Sequence, residues 1–191
     1  MKISAIIPTF NEEEHISEAI KSVSWADEII VVDSFSKDKT IEIAKKFGVK
    51  IIQREYKYSA SQKNWAIPQS EHNWIFLLDA DERVSNSLKE EILNWKKTKP
   101  KKQSYWIYRT NHFMGKKIKF SGWQGDKVIR LFHRDCRYED KKVHAEIENS
   151  SKAGKLKSPI LHFTFKSMSH YLLKWDQYSS WSAKDLSLIH I

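Results

Sequence analysis

Asp79-Ala80-Asp81 places two carboxylates one residue apart at the end of the apolar run Trp74-Ile75-Phe76-Leu77-Leu78. Such a pair can share a hard divalent cation that also bridges phosphate oxygens, which is the chemistry of a metal–diphosphate clamp. An aspartyl-phosphate phosphatase also opens on a strand and Asp-x-Asp, its first carboxylate acting as nucleophile. That class fits poorly, because two strand–helix units precede this motif and Glu82-Arg83 follow it. Thr9, Asn11 and Glu12 close an earlier apolar run, and Asp33 closes another. In the second half, the imidazoles of His144 and His162 can complete a metal shell when neutral or hold phosphate when protonated.

The elements that must position these groups are legible from the apolar pattern. Ile3-Ser4-Ala5-Ile6-Ile7-Pro8 is brief, rich in isoleucine and stopped by proline, which predicts a strand. Thr9-Phe10-Asn11 then reads as a polar cap, and Glu12, Glu13 and Glu14 suit the positive end of a helix whose apolar face is Ile16, Ala19, Ile20 and Val23. The unit recurs as a strand over 28–33, a polar loop over 34–39 with Asp38 as a cap, and a helix over 40–47 that ends at Gly48. Strands over 49–53 and 74–78 and helices over 61–67 and 87–97 follow. Alternating strands and helices predict a mostly parallel sheet covered on both faces. Ligands of such sheets sit outside the carboxyl ends of the strands, so Thr9, Glu12, Asp33, Asp79 and Asp81 are expected at one edge.

A chain of 191 residues with 40% hydrophobic and 30% charged residues folds around one main core, and no apolar run approaches the length of a membrane span. The lone Cys136 excludes an internal disulfide and makes the reducing cytoplasm the default location. The net charge of +9 is uneven: residues 1–95 hold 12 Lys+Arg against 16 Asp+Glu, and residues 96–191 hold 21 against 8. The lysine run over 96–102 is the candidate hinge between a first half, 1–98, and a more β-rich half, 103–165, with strands over 104–109, 127–133 and 160–165. A final helix, 166–186, is expected to bury Tyr171, Leu172, Trp175 and Tyr178. Residues 187–191 carry no stop signal and read as a truncated end.

Ile6-Ile7-Pro8-Thr9-Phe10-Asn11-Glu12-Glu13, Val31-Val32-Asp33-Ser34-Phe35-Ser36-Lys37-Asp38 and Leu77-Leu78-Asp79-Ala80-Asp81-Glu82-Arg83 together resemble family 2 glycosyltransferases of the GT-A fold. Gln62-Lys63-Asn64 resembles the segment that closes over the donor. Arg130-Leu131-Phe132-His133-Arg134, Val143-His144-Ala145-Glu146 and Leu161-His162-Phe163 are similar to the branch that glucosylates the lipopolysaccharide inner core. The resemblance covers residues 1–186 as one transferase domain. It implies that Thr9 and Glu12 line a nucleotide pocket, Asp33 recognises uracil, and Lys63 stands near the diphosphate. It further implies that Asp79 contacts ribose or a metal-bound water and that Asp81 holds the divalent cation, Mg²⁺ or Mn²⁺.

Inverting sugar transfer needs one general base to take the acceptor proton. Among Asp126, Glu139, Asp140, Glu146 and Glu148, the favoured base is Glu146, followed by Asp126. The branch pattern is Val-His-Glu, and here Ala145 intervenes between His144 and Glu146. Trp123 is a candidate for stacking on a sugar face. The resulting expectation is transfer of a hexose, glucose first, from a UDP-sugar to a phosphorylated glycolipid such as lipopolysaccharide core. The basic residues of the second half, Arg130 among them, would meet its phosphates or the anionic cytoplasmic face of the inner membrane. A nucleic-acid-binding protein is the competing class, from the same basic half and its aromatics. It lacks a recognition motif here, and the acidic strand ends would repel the ligand, so no nucleic acid is expected. A nucleotidyltransferase would need a glycine- and lysine-rich first loop that is absent. A donor-binding but inactive fragment is the remaining alternative.

Overall fold

The computed structural model describes residues 1–120, 122–142, 145–165 and 167–187. Strands β1 (Ile3–Thr9), β2 (Glu28–Asp33), β3 (Lys50–Gln53) and β4 (Trp74–Leu77) pair in parallel in the order β3-β2-β1-β4. Successive residues of a strand point to opposite faces, which splits the apolar side chains between two cores. Ile3, Ala5, Ile7, Val31 and Phe76 pack with helices α1 (Ile16–Ser22), α2 (Thr40–Lys45) and α4 (Asn86–Trp95). Ile6, Ile30, Val32, Ile75 and Leu77 pack with α3 (Ser59–Ala66) on the other face. Burial on both faces is why these strands read as continuous apolar runs.

The loops depart from expectation in instructive ways. The chain does not enter a helix at Glu12; a single turn closes on the Glu12 carbonyl, and α1 begins at Ile16. The polar residues there join the first loop to the second instead of starting a helix. Asn11 Oδ1 accepts from the Lys37 amide at 2.8 Å, Glu13 accepts from the Lys39 amide at 3.0 Å, and Asp38 accepts from the Glu13 and Thr40 amides. Helix α2 stops at Lys45, two residues early, in i→i+3 bonds that end at Gly48, whose φ of +65° suits a residue without Cβ. Helix α4 starts on Ser85, whose Oγ accepts from the Leu88 amide at 3.2 Å. A cap of this kind contributes about 1 kcal/mol.

The second half is built around β6 (Ser104–Phe113), which runs four residues past the expected Arg109. Strand β8 (Lys127–His133) lies antiparallel on one side of it and β10 (Ile160–Phe165) parallel on the other, with the short β7 (Lys116–Lys117) and β9 (Gly154–Lys155) attached. Strand β8 also pairs antiparallel with β4, so the two halves share one sheet across the join. The path ends at β5 (Glu82–Val84), a strand the sequence pattern does not announce, in the order β3-β2-β1-β4-β8-β6-β10-β5. Only four residues separate β4 from β5, yet three strands lie between them in the sheet. The sheet therefore curls until its far edge returns to the Asp79–Asp81 segment.

Helix α5 (Met168–Ser187) spans the expected residues but buries less than expected. Tyr171 packs edge-on against Phe113 and Phe165, whereas Leu172 and Trp175 are 54% and 61% exposed. Strand β10 is its main neighbour, and among the described side chains Tyr171 packs on the sheet while Lys174 reaches the cavity at the strand ends. The side chain of Tyr178 lies outside those described. Among the described residues no helix is long and apolar enough to cross a membrane.

Candidate active site

The carboxyl ends of β1 and β4 and the first turns of α3 enclose a cavity of about 620 Å³ lined by Thr9, Glu12, Lys63, Asp79, Asp81 and His162. Thr9 ends β1, and its Oγ1 is buried with no hydrogen-bond partner among the described residues. The Glu12 amide donates to Thr40 Oγ1 at 2.8 Å, which fixes the first loop beside the cavity. Phe10 and Tyr56, each about half exposed, add two rings to the wall. Asp33 behaves differently from the other strand-end acids. It is fully buried, and its carboxylate accepts from the Ser36 amide, the Ser36 hydroxyl and Gln53 Nε2, while its neighbour Ser34 lines the cavity. The side chain is thus placed as a turn cap.

The two acids of Asp79-Ala80-Asp81 have opposite surroundings. Asp79 pairs with Arg130 through Oδ2 and lies 3.4 Å from Lys63 Nζ through Oδ1. Burial alone would raise its carboxyl, but Arg130, Lys63 and Arg109 outweigh that and hold it well below the usual carboxylate range. Burial pushes the Lys63 ammonium down against the pull of Asp79. Asp81 instead faces His162, with Oδ2 3.5 Å from Nε2. Its carboxyl is also lowered, burial again being outweighed, here by the imidazole in its protonated form. Arg130 is 3% exposed and bridges Asp79 to Glu82, 2.7 Å from Oε1, so it stands behind this cavity and lines a smaller one beside it.

A second cavity of about 330 Å³ adjoins the first and shares Lys63, Asp79 and Arg109 with it. Glu146 lines it, exposed, accepting a hydrogen bond from Ser150 Oγ at 2.8 Å. Asp126 lines it too, but Arg109 grips both its oxygens at 2.8 and 2.9 Å and Asn111 donates a third bond. Burial would raise this carboxyl, and Arg109 with Asn111 hold it below the usual range, which opposes proton uptake. Half-buried Trp123 lines a neighbouring hollow with Asp126 and His162. His144 lies outside the described residues. A larger cavity, about 750 Å³, opens at the amino end of β4 beside Lys99, Lys101 and Lys102, away from all of these groups.

Among the described residues no cluster of three His, Cys, Asp or Glu forms a closed metal cage. The Asp81–His162 pair nevertheless suits a cation that takes its remaining ligands from phosphate and water, as Mg²⁺ and Mn²⁺ do.

The family model described as "Glycosyl transferase family 2" matches residues 4–116, more than half of the chain. The chain belongs to this family. An uncharacterised glycosyltransferase of Rickettsia typhi is 30% identical over 97% of the chain and 68% of its own length. The lipopolysaccharide core biosynthesis glycosyltransferase LpsC of Rhizobium meliloti is 27% identical over 96% of the chain and 71% of its own length. The crystal structure of Staphylococcus aureus TarS in complex with UDP-GlcNAc superposes with a TM-score of 0.60 at 18% identity, over 86% of the chain and 59% of that chain. The likeness to TarS shows the GT-A fold of this transferase, a curled sheet flanked by helices.

Sequence reasoning passed over Glu82, Arg109 and Asn111. Glu82 is wholly buried beside the motif it follows, and Arg109 and Asn111 share one face of β6 two residues apart. That period-two pairing of polar groups was the available signal, hidden because the strand was expected to end at Arg109. The network has a measurable acid response. Asp79 and Asp126 have folded pKa values below those of unfolded carboxylates, so their stabilisation is present above about pH 4 and is lost as pH falls through the folded values. Thermal midpoints of the transferase, followed by circular dichroism, are expected to hold above about pH 5 and drop steeply below about 4. Asp126→Asn should make that acid limb shallower.

Proposed function

We propose that this transferase moves a hexose, glucose in the first instance, from a UDP-sugar to a phosphorylated glycolipid with inversion at the anomeric carbon. The observation that carries the reading is the pair of adjoining cavities, which meet at Lys63, Asp79 and Arg109. One has the strand-end groups and rings for a nucleotide, and the other offers a carboxylate for an acceptor hydroxyl. Phe10 and Tyr56 provide faces for uracil, Thr9 and Glu12 line the nucleotide side, and Lys63 supplies charge near the diphosphate. Asp33 supports the uracil side through Ser34 and Ser36, its own acceptors being occupied. Asp81 and His162 would hold a divalent cation, which when bound neutralises charge growing on the departing diphosphate. Asp79, neutralised by Arg130 and Lys63, acts from beside that pair.

Glu146 is the base that takes the acceptor proton, since its carboxylate faces the second cavity with one hydroxyl as its hydrogen-bond donor. Similarity to LpsC supports a lipopolysaccharide-core acceptor, and the chain covers only part of each relative's length, so acceptor selection belongs to this proposal. Calorimetry of UDP and UDP-glucose, with and without Mn²⁺, tests the donor half. Binding that requires Mn²⁺ is expected; absence of binding by the folded chain in both conditions would overturn it.

The acceptor's location gives a further expectation. The turn between β6 and β7 exposes Met114 and the following loop exposes Phe120, 77% accessible, among Lys116, Lys117 and Lys119. Phe113 at the end of β6 packs on Tyr171, which brings the start of α5, with the exposed Leu172 and Trp175, beside this basic tip. Lysines around apolar groups suit an anionic membrane surface. Flotation with phosphatidylglycerol vesicles is expected at low salt. It should weaken steeply toward 1 M salt, where the screening length is about 3 Å instead of about 10 Å at 0.1 M. Equal flotation with neutral phosphatidylcholine vesicles would sink the electrostatic account.

A further inference from the structure

Along the wall of the donor cavity four side chains, Arg109, Asp126, Asn111 and His162, form a directed chain that ends on Asp81. Arg109 Nε and one terminal nitrogen donate to the two oxygens of Asp126. Asn111, 4% exposed, donates Nδ2 to Asp126 Oδ2 at 2.9 Å. Asn111 Oδ1 lies 2.7 Å from His162 Nδ1, and His162 Nε2 faces Asp81 at 3.5 Å. The direction is set at the Asp126 end. An ionised carboxylate only accepts, so Asn111 must turn its NH₂ toward Asp126 and its carbonyl toward His162. That carbonyl also only accepts, so the imidazole proton resides on Nδ1. The lone pair of the neutral ring is then on Nε2, the nitrogen aimed at Asp81.

We propose that Asp126 and Asn111 are positioning residues that fix the ring and tautomer of His162, so that Nε2 presents its lone pair beside Asp81 to a divalent cation. The inference rests on the reading of Asp81 and His162 as the cation's holders, and it gives Asp126 a task other than proton abstraction. A histidine ligand needs its second nitrogen held, and loss of such a partner typically weakens metal affinity about 10–100-fold.

The test uses the full chain labelled with ¹⁵N at histidine, metal-free and at alkaline pH, with long-range imidazole ¹H–¹⁵N correlations. His162 signals are identified by their loss in His162→Gln. In the unmodified chain the proton is expected on Nδ1, and in Asn111→Leu it redistributes to Nε2. Free Mn²⁺ measured by electron paramagnetic resonance in the presence of UDP should show affinity weakened about 10–100-fold in Asn111→Leu. Asp126→Asn keeps the side-chain volume and serves if Asn111→Leu fails to fold; its turnover should recover at saturating Mn²⁺. A proton on Nε2 in the unmodified chain, or a tautomer indifferent to both variants, would overturn the proposal. So would Asp126→Asn with unchanged Mn²⁺ affinity and turnover that Mn²⁺ does not restore, the signature of a base. Unchanged Mn²⁺ affinity in His162→Gln would overturn the cation reading itself, and with it the purpose of the relay, whatever the tautomer.

Discussion

Replacing Arg130 with methionine is expected to cost about 3–5 kcal/mol of folding stability, the range for removing one partner of a buried ion pair. Arg130 and Glu82 are 3% and 0% exposed, and their contact is 2.7 Å. Without the guanidinium, Glu82 is left buried with Arg109, 3.6 Å away, as its remaining ion-pair partner among the described residues. Asp79 loses its nearest counter-charge at the same time. Urea unfolding followed by tryptophan fluorescence gives the measurement. Adding Glu82→Gln to Arg130→Met should recover part of the loss, because the stranded charge is removed together with its partner. A loss under about 1 kcal/mol would mean that Arg109 alone neutralises Glu82.

Asp81→Asn is expected to leave stability nearly unchanged and to weaken Mn²⁺-dependent UDP binding at least ~100-fold, the upper range for losing a neighbour that merely orients a ligand. The carboxylate lines the donor cavity and faces the His162 ring, and the Arg83 guanidinium that it also attracts keeps its hydrogen bonds to the Ala80, Glu82 and His15 carbonyls, so the amide strands no buried cation. Asp79→Asn should do the reverse. Arg130 and Lys63 both depend on Asp79, and its neutralisation leaves them facing each other. Melting curves and calorimetry on the two variants therefore separate residues that the motif presents as twins. Equal effects of the two substitutions on both measurements would contradict the division of labour.

The first half was legible because its signals are local. Apolar runs ended by Pro8, Asp33 and Asp79 mark strands covered on both faces, and the rule that ligands sit at strand ends places Thr9, Glu12 and Asp81 around one cavity. The environment of each acid was not legible. Asp33 and Asp81 both follow strands, yet one is consumed by Ser36 and Gln53 and the other faces a cavity. Partners such as Arg130 for Asp79 and Asn111 for His162 lie 51 positions apart in both cases, and no local period encodes a pairing of that kind. Strand β5 was missed for a related reason. Among the described strands its three residues pair with β10 alone, so its extended form is a product of tertiary contact and not of propensity. Helix α5 shows the converse, since an amphipathic pattern predicts a helix without saying which of its apolar residues meet a surface: Tyr171 does, and Leu172, Leu173 and Trp175 are exposed.

The pairing of β5 with β10 sets Glu82 opposite His162 and lets the Phe163 amide donate to the Asp81 carbonyl at 2.9 Å. Asp81 and His162 thus meet through strand register, at the edge of the sheet that closes last in the path. Loops of this length must be closed before the contact rewards them, so such an edge completes late in folding. Any ligand held across it binds only the finished chain and, by mass action, keeps that edge shut. Cellular ligand concentration then becomes a determinant of how often the seam opens, and the first half by itself, however well its strands assemble, holds one jaw of the grip.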